Sequence, residues 1–435
     1  MKDEMPGRVV KAYTAATPVL WVLGLLLPAT ILLLLYLTWR ARLSRLVADG
    51  VAIPWFVVAA CQGLSVTVNW WQGGLPFSDL LYRLTYTPVS GWLALGLALG
   101  AGRQLRLASP PVVRAAAIQG ANFLWLGVLC FVLATVVHLP SLSFESPMAA
   151  LVPESLPARA FYFVPRFYGE GDLLGGVPNL VLFYQWTSVL GFAGLATFFI
   201  SANEPSLPWR IVGCLGCLTA LVGSQSRGAY TGFALGVLAY LLVKTVRTME
   251  LRVAVVAALV CAVGLLVSEP GRKLLGAGVG VMHSLRSGSS EARLLGYEKS
   301  WEGFQESPFL GHGWPGEDVA KGIPMPLGTH SSVYGLLYTG GALTFLAFFF
   351  ALASLLFNLL RRAIKAPSPS ARAGLAIGVG LATLSYGESL SSLALPLVVA
   401  FAFLGGCVAS AEGTAVSGNG GAPTKTGTGD LHEPD

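Results

Sequence analysis

The chain has 435 residues, of which 54% are hydrophobic and only 11% charged, and its mean hydropathy is +0.66. A composition this apolar excludes a soluble globular domain, and several unbroken apolar runs of about 20 residues match the ~30 Å hydrocarbon core of a bilayer. The net charge of +6 comes from Lys and Arg gathered in loops, which membrane topology and anionic lipid explain and nucleic acid does not.

The first apolar region runs from Pro18 to Trp39 without a small-residue cleavage site behind it, which argues against a removed signal peptide. Counted from Val9, it is long enough to hold a broken pair hinged at Pro28. Further spans are predicted near Val51 to Val68, Thr87 to Gly102, Val113 to Val137, Pro178 to Ile200, Trp209 to Val222, Tyr230 to Val246 and Leu251 to Ser268. Three more follow near Val333 to Leu360, Ala371 to Tyr386 and Ser389 to Val408. The pattern predicts an all-α polytopic membrane protein of about 11 to 12 transmembrane helices. It divides into transmembrane helices over 1–268, a large loop over 269–331, more transmembrane helices over 332–411, and a tail over 412–435. That tail is rich in Gly, Thr and Pro, so it is expected to be disordered and cytoplasmic.

Four cationic clusters fix the expected orientation, because short loops rich in Lys and Arg stay cytoplasmic. They are Arg40, Arg42 and Arg45; Arg103, Arg106 and Arg114; Lys244, Arg247 and Arg252; and Arg361, Arg362, Lys365 and Arg372. The loops around Arg83, His138 to Gly176, Ser224 to Gly228 and Glu269 to Ser331 then face the other side. All six cysteines fall in apolar segments, and the Cys214 and Cys217 pair has no second pair or nearby His, so packing explains them better than metal or redox chemistry. The span centres are almost free of charge, which argues against an ion-coupled transporter. Glu388, in the turn "SYGESLSS", is an edge case.

Three outer-side features carry the unusual residues. In "GSQSRGAYTGFALG", Arg227 occupies a tight polar turn against the positive-inside bias; headgroup anchor and ligand site are both open readings. Residues Ser290 to about Phe304 read as an amphipathic helix with Ser289 or Ser290 as cap. Arg293, Tyr297, Ser300, Trp301 and Phe304 would share one face, with Glu291, Glu298 and Glu302 opposite. Plain interfacial anchoring competes with a functional role here. In "GTHSSVYGLLYTGG", Ser331 or Ser332 would cap a long apolar helix and set His330 just before its first turn. The positive helix end favours anions there and a neutral, proton-accepting imidazole. A single interfacial His is usually inert, so the position alone does not decide. Tyr334 lies one turn below on the same face.

Together "SQSRG", "EARLLGYEKSWEGFQESPFLGHGW" and "THSSVYGLLYTGG" resemble the O-antigen ligase and O-antigen polymerase superfamily of bacterial inner-membrane, lipid-linked glycan transferases. The resemblance covers about 120 residues, Ser224 to Gly341, and includes a "P-x-L-G-x-G" element at Pro308 to Gly313. It implies a GT-C-like glycosyltransferase with its active site facing the periplasm, needing no cofactor and no metal. The implied donor is an O-antigen glycan on undecaprenyl diphosphate, and the implied acceptor is a lipid A–core sugar. On that reading Arg227 and Arg293 bind the diphosphate, His330 is the general base of an inverting displacement, and Tyr334, Tyr297 and Ser226 support them. The ligase reading is favoured by one principal loop before His330. A polymerase joining lipid-linked repeats, a protein-glycosylating ligase and a lipid-linked glycan flippase remain as alternatives.

Overall fold

The computed structural model describes residues 4–154, 156, 159–169, 177–245, 287–320 and 323–409. The expected span Leu251 to Ser268, Cys261, the start of the large loop and the tail from Glu412 lie outside the described residues. So do the side chains of the two candidate caps Ser289 and Ser290 and of Glu291. What is described is overwhelmingly helical, with four helices long and apolar enough to cross a membrane and several shorter apolar ones. This is a polytopic membrane protein.

The first apolar region is a broken pair, α1 (Met5–Val22) and α2 (Leu26–Ala41). The break falls at Gly24 and not at Pro28. Gly24 takes φ +74° beneath Ser146 and Met148, where a Cβ would collide with both side chains. Pro28 sits in the first turn of α2, where its missing N–H costs no hydrogen bond. Next come α3 (Ile53–Gly73) and α4 (Phe77–Leu84), which runs through a π-helical stretch at Thr85–Leu93 into α5 (Ala94–Gln104). Pro88 lies inside the π stretch, where a wider turn accommodates a residue that cannot join the i→i−4 ladder.

Helix α6 (Pro110–Thr135) leads to three short strands, β1 (Leu142–Ser143), β2 (Arg166–Gly169) and β3 (Asn179–Leu180), paired antiparallel in that order. The span expected from Pro178 is therefore helical only from Thr187. Residues 179–182 bond to the β2 strand instead, and Phe183 and Phe167 pack on Trp21 with ring centroids 5.2 and 4.6 Å away. Then follow α7 (Thr187–Ser201), α8 (Leu207–Gly223) and α9 (Arg227–Thr245). Helices α6 and α8 cross backbone to backbone: a Cβ on Gly120 would overlap the Gly213 carbonyl, and one on Gly216 would overlap the Gly120 carbonyl. Such contacts are how helices associate where lipid offers no hydrophobic drive.

Beyond the undescribed stretch lie α10 (Ser287–Glu306), a hairpin of β4 (Asp318–Ala320) and β5 (Ile323–Pro326), then α11 (Ser332–Lys365) and α12 (Pro369–Gly387). The last expected span, Ser389 to Val408, is broken as well. A single turn at Leu390–Leu393 precedes α13 (Val398–Val408), with Pro396 between them. Two close approaches set the ends of the bundle. Gly232 of α9 meets Gly380 of α12 and Gly236 meets Ala376, so the two helices run antiparallel and the head of α9 lies beside the tail of α12.

Helix α11 is kinked at Gly341, which has φ +63° and ψ −169°. The loop Pro308–Gly313 occupies the kink and completes the broken ladder. Tyr338 and Thr339 carbonyls would ordinarily accept from the amides of Ala342 and Leu343. Here they accept from His312 and Gly313, at 2.8 Å each, while Ala342 and Leu343 donate to Pro308 and Phe309 at 2.8 and 3.3 Å. Ser65 of α3 donates to the Leu310 carbonyl and to Thr339 O, and Asn69 donates to Gly311 O. The Pro308–Gly313 element is thus a loop stitched into a long apolar helix.

Candidate active site

The head of α11 is built by two adjacent serines. The Ser331 hydroxyl accepts from the amides of Val333 and Tyr334, at 3.1 and 3.2 Å. Ser332 ties α11 to the end of α12: its amide and hydroxyl both donate to the Glu388 carbonyl, at 3.1 and 2.9 Å, and the hydroxyl accepts from the amide of Leu390. With the Gly335 amide bonded to Ser331 O, all four leading amides of the helix are occupied. An anion site on bare amides, as the sequence suggested, is therefore absent. The helix end acts on its surroundings through its dipole.

His330 precedes this cap with φ +58°, a left-handed conformation uncommon outside Gly but better tolerated by His than by most residues. Gln225, two residues before the first residue of α9, is also left-handed at φ +49°. Strained backbone of this kind concentrates at functional sites. Burial holds the His330 imidazole below its ordinary proton affinity, with Arg293 adding to the effect and Glu388 opposing it. At neutral pH it is a free base.

Helix α10 supplies the opposite wall. Its packed face is Ala292, Gly296, Tyr297, Ser300 and Gly303, small enough for the helix to lie close against α11 and the β4–β5 hairpin. The expected aromatic face is split: Arg293, Tyr297 and Ser300 turn inward, whereas Trp301 is 45% exposed and meets the half-buried Phe304 at a tilt on the outer side. Gly296 and Gly303 let neighbouring side chains approach closely on the buried face, which of the three aromatics holds Tyr297 alone. Ser300 accepts from the Gly328 amide. Tyr297 stacks on Tyr334 with centroids 4.7 Å apart and planes 10° from parallel, lies 5.8 Å from the Tyr386 ring, and points its hydroxyl at His330 O from 3.5 Å. Burial keeps the Tyr297 phenol protonated well beyond its usual range, so it stays a donor.

Arg293 reaches across to the end of α12, 3.0 Å from Glu388 Oε1 and 3.4 Å from the Gly387 carbonyl. Its side chain is 39% exposed while that of Glu388 is 12% exposed, so the arginine is the more open partner of the pair. Arg227 opens α9, and Ser226 caps that helix by accepting from the Ala229 amide. The antiparallel pairing of α9 with α12 brings Arg227 to the end of the bundle that carries Glu388 and His330.

All three sequence motifs therefore converge at one end of the bundle. Residues 212–332 match the family model described as O-antigen ligase. The chain carries a domain of that family. The match spans just over a quarter of the sequence and holds Arg227, Arg293 and His330. No curated protein matches the sequence. Of the residues gathered around His330, Tyr334, Tyr386, Glu388 and the kinked Gly340–Gly341 lie beyond the matched stretch. Glu388 was visible only as a carboxylate in a polar turn, and its contact with Arg293 spans 95 residues. The kink was foreshadowed only by the "TGG" of a segment otherwise reading as continuous helix. A separate cavity lies between α1, α2, α6, α7 and α13, lined by Tyr13, Thr30, Gln119, Tyr184, Gln185 and Arg166 among others; none of the His330 cluster borders it.

Proposed function

We propose that the protein is an O-antigen ligase that moves a glycan from undecaprenyl diphosphate to a sugar hydroxyl of lipid A–core at the periplasmic face of the inner membrane. The observation carrying this reading is His330: a neutral imidazole, fixed in left-handed backbone at a helix head, within electrostatic reach of a partly open arginine. His330 takes the proton of the acceptor hydroxyl as its oxygen bonds to the anomeric carbon. The bond from that carbon to the diphosphate oxygen breaks, the electron pair leaves with undecaprenyl diphosphate, and one displacement inverts the anomeric centre. Arg227 and Arg293 offset the charge on the leaving group, since guanidinium meets phosphate oxygens with a two-pronged, permanently charged fork. Tyr297 holds the His330 carbonyl, Tyr334 supports the Tyr297 ring, and Ser226 sets the helix bearing Arg227.

The test is transfer by the purified protein from a defined undecaprenyl-diphosphate glycan to lipid A–core, with and without EDTA. His330→Ala should reduce turnover by about 100-fold or more, and Arg227→Lys and Arg293→Lys should each lower it despite keeping the charge. Undiminished transfer by His330→Ala would remove the general base. In cells, loss of the gene should leave polymer on its lipid carrier; accumulation of single repeats would assign the protein as a polymerase instead.

A further inference from the structure

We propose that Glu388 is a positioning residue of this site: it holds the inner edge of Arg293 so that the open edge faces the donor diphosphate, and it is the counter-charge for the imidazolium that His330 becomes during transfer. The inference rests on the reading of His330 as proton acceptor. Three observations carry it. The Glu388 carboxylate lies 3.0 Å from Arg293 and is largely buried, whereas Arg293 remains 39% exposed. An ion pair with one shielded and one open side presents the guanidinium in a fixed direction. The Glu388 backbone is pinned independently, because its carbonyl takes both hydrogen bonds from Ser332, two residues from His330. The carboxylate and the head of α11 therefore move as one piece.

The charge balance at His330 supports the second role. Among the described residues, the charged and titratable groups converging there are Arg293 and Tyr297 from α10, Tyr334 from α11, and Tyr386 and Glu388 from the end of α12, with Arg227 heading the neighbouring α9. Burial and Arg293 both oppose a proton on His330, and among the described residues Glu388 favours one. A base that must hold a proton through a displacement gains from such a partner, and the partner need not touch substrate.

Glu388→Gln leaves the backbone carbonyl and its Ser332 bonds in place and removes only the charge. In the transfer assay with full-length protein, this variant should lose about tenfold in kcat. The acid limb of its pH profile should move to lower pH, because His330 loses the Glu388 charge that favours its protonated form. Glu388→Asp, which keeps the charge, should return the limb toward wild type. A wild-type kcat in Glu388→Gln, or a reduced kcat with an unmoved acid limb, overturns the proposal; the second result is what mere loss of structure would give. His330→Ala run alongside separates the levels. If it is inactive while Glu388→Gln behaves as wild type, only the role of Glu388 fails; if it transfers normally, the proton-acceptor reading fails and takes this proposal with it.

Discussion

The loop stitched into α11 can be tested at Gly311. Its φ is +62°, and a Cβ there would stand 2.5 Å from the Tyr338 carbonyl oxygen, 2.6 Å from the Gly341 amide nitrogen and 2.7 Å from that of Gly340. Gly311→Ala therefore imposes two separate costs. The left-handed backbone alone costs an alanine about 1 kcal/mol or somewhat more. The collision pushes the loop out of the ladder and breaks four backbone hydrogen bonds, each with a net worth of about 0.5–1.5 kcal/mol. Straightening of α11 could restore its own bonds from Ala342 to Tyr338 and from Leu343 to Thr339, so the recoverable part is roughly half. The net loss from the ladder is then about 1–3 kcal/mol. Gly74→Ala provides the control: φ is +59° and nothing lies within 4 Å of the added methyl, so it carries the backbone cost without the collision. Unfolding of both variants in detergent should place Gly311→Ala about 1–3 kcal/mol below Gly74→Ala, and hydrogen exchange should show faster exchange at the amides of His312 and Gly313, which lose their partners on α11. Equal stability of the two variants, with unchanged protection of those amides, would refute the ladder-insertion account.

Ser332→Ala removes the hydroxyl that joins α11 to both Glu388 and Leu390, and should cost about 1–3 kcal/mol with a drop in transfer rate, measured by unfolding and by the transfer assay. Gly216→Val drives a side chain into the Gly120 carbonyl at the α6–α8 crossing and should destabilise by about 1–3 kcal/mol, read as lower detergent-solubilised yield and melting temperature without a change in the pH profile. The acid limb of wild-type transfer should lie below the ordinary imidazole range near ~6.5, because burial favours the free base that the reaction uses. A limb at or above that value would show that His330 is not the titrating base.

Much of the membrane architecture was legible in the apolar runs, since a residue facing lipid or a packed helix is selected for hydrophobicity whatever its neighbours are. The departures share one cause. Residues 179–182 open a run that reads as a span, yet they pair with a strand; whether a run is helix or strand inside a buried environment depends on which backbone groups meet it. The same holds for the hinge at Gly24, chosen by Ser146 and Met148 more than 120 residues away, and for the split face of α10, chosen by what Gly296 and Gly303 allow to approach.

The site divides along the same line. Residue chemistry marked His330, Arg227 and Arg293 within the sequence, because a histidine and two arginines stand out beside apolar runs in a chain that is only 11% charged. Their arrangement was decided in three dimensions. Ser332 fastens the head of α11 to the end of α12, Glu388 takes Arg293, and the antiparallel contact of α9 with α12 brings Arg227 to the same end. Hydropathy and residue type report what each position tolerates locally; which charges balance one another depends on contacts between residues about a hundred positions apart, and only the folded bundle sets those.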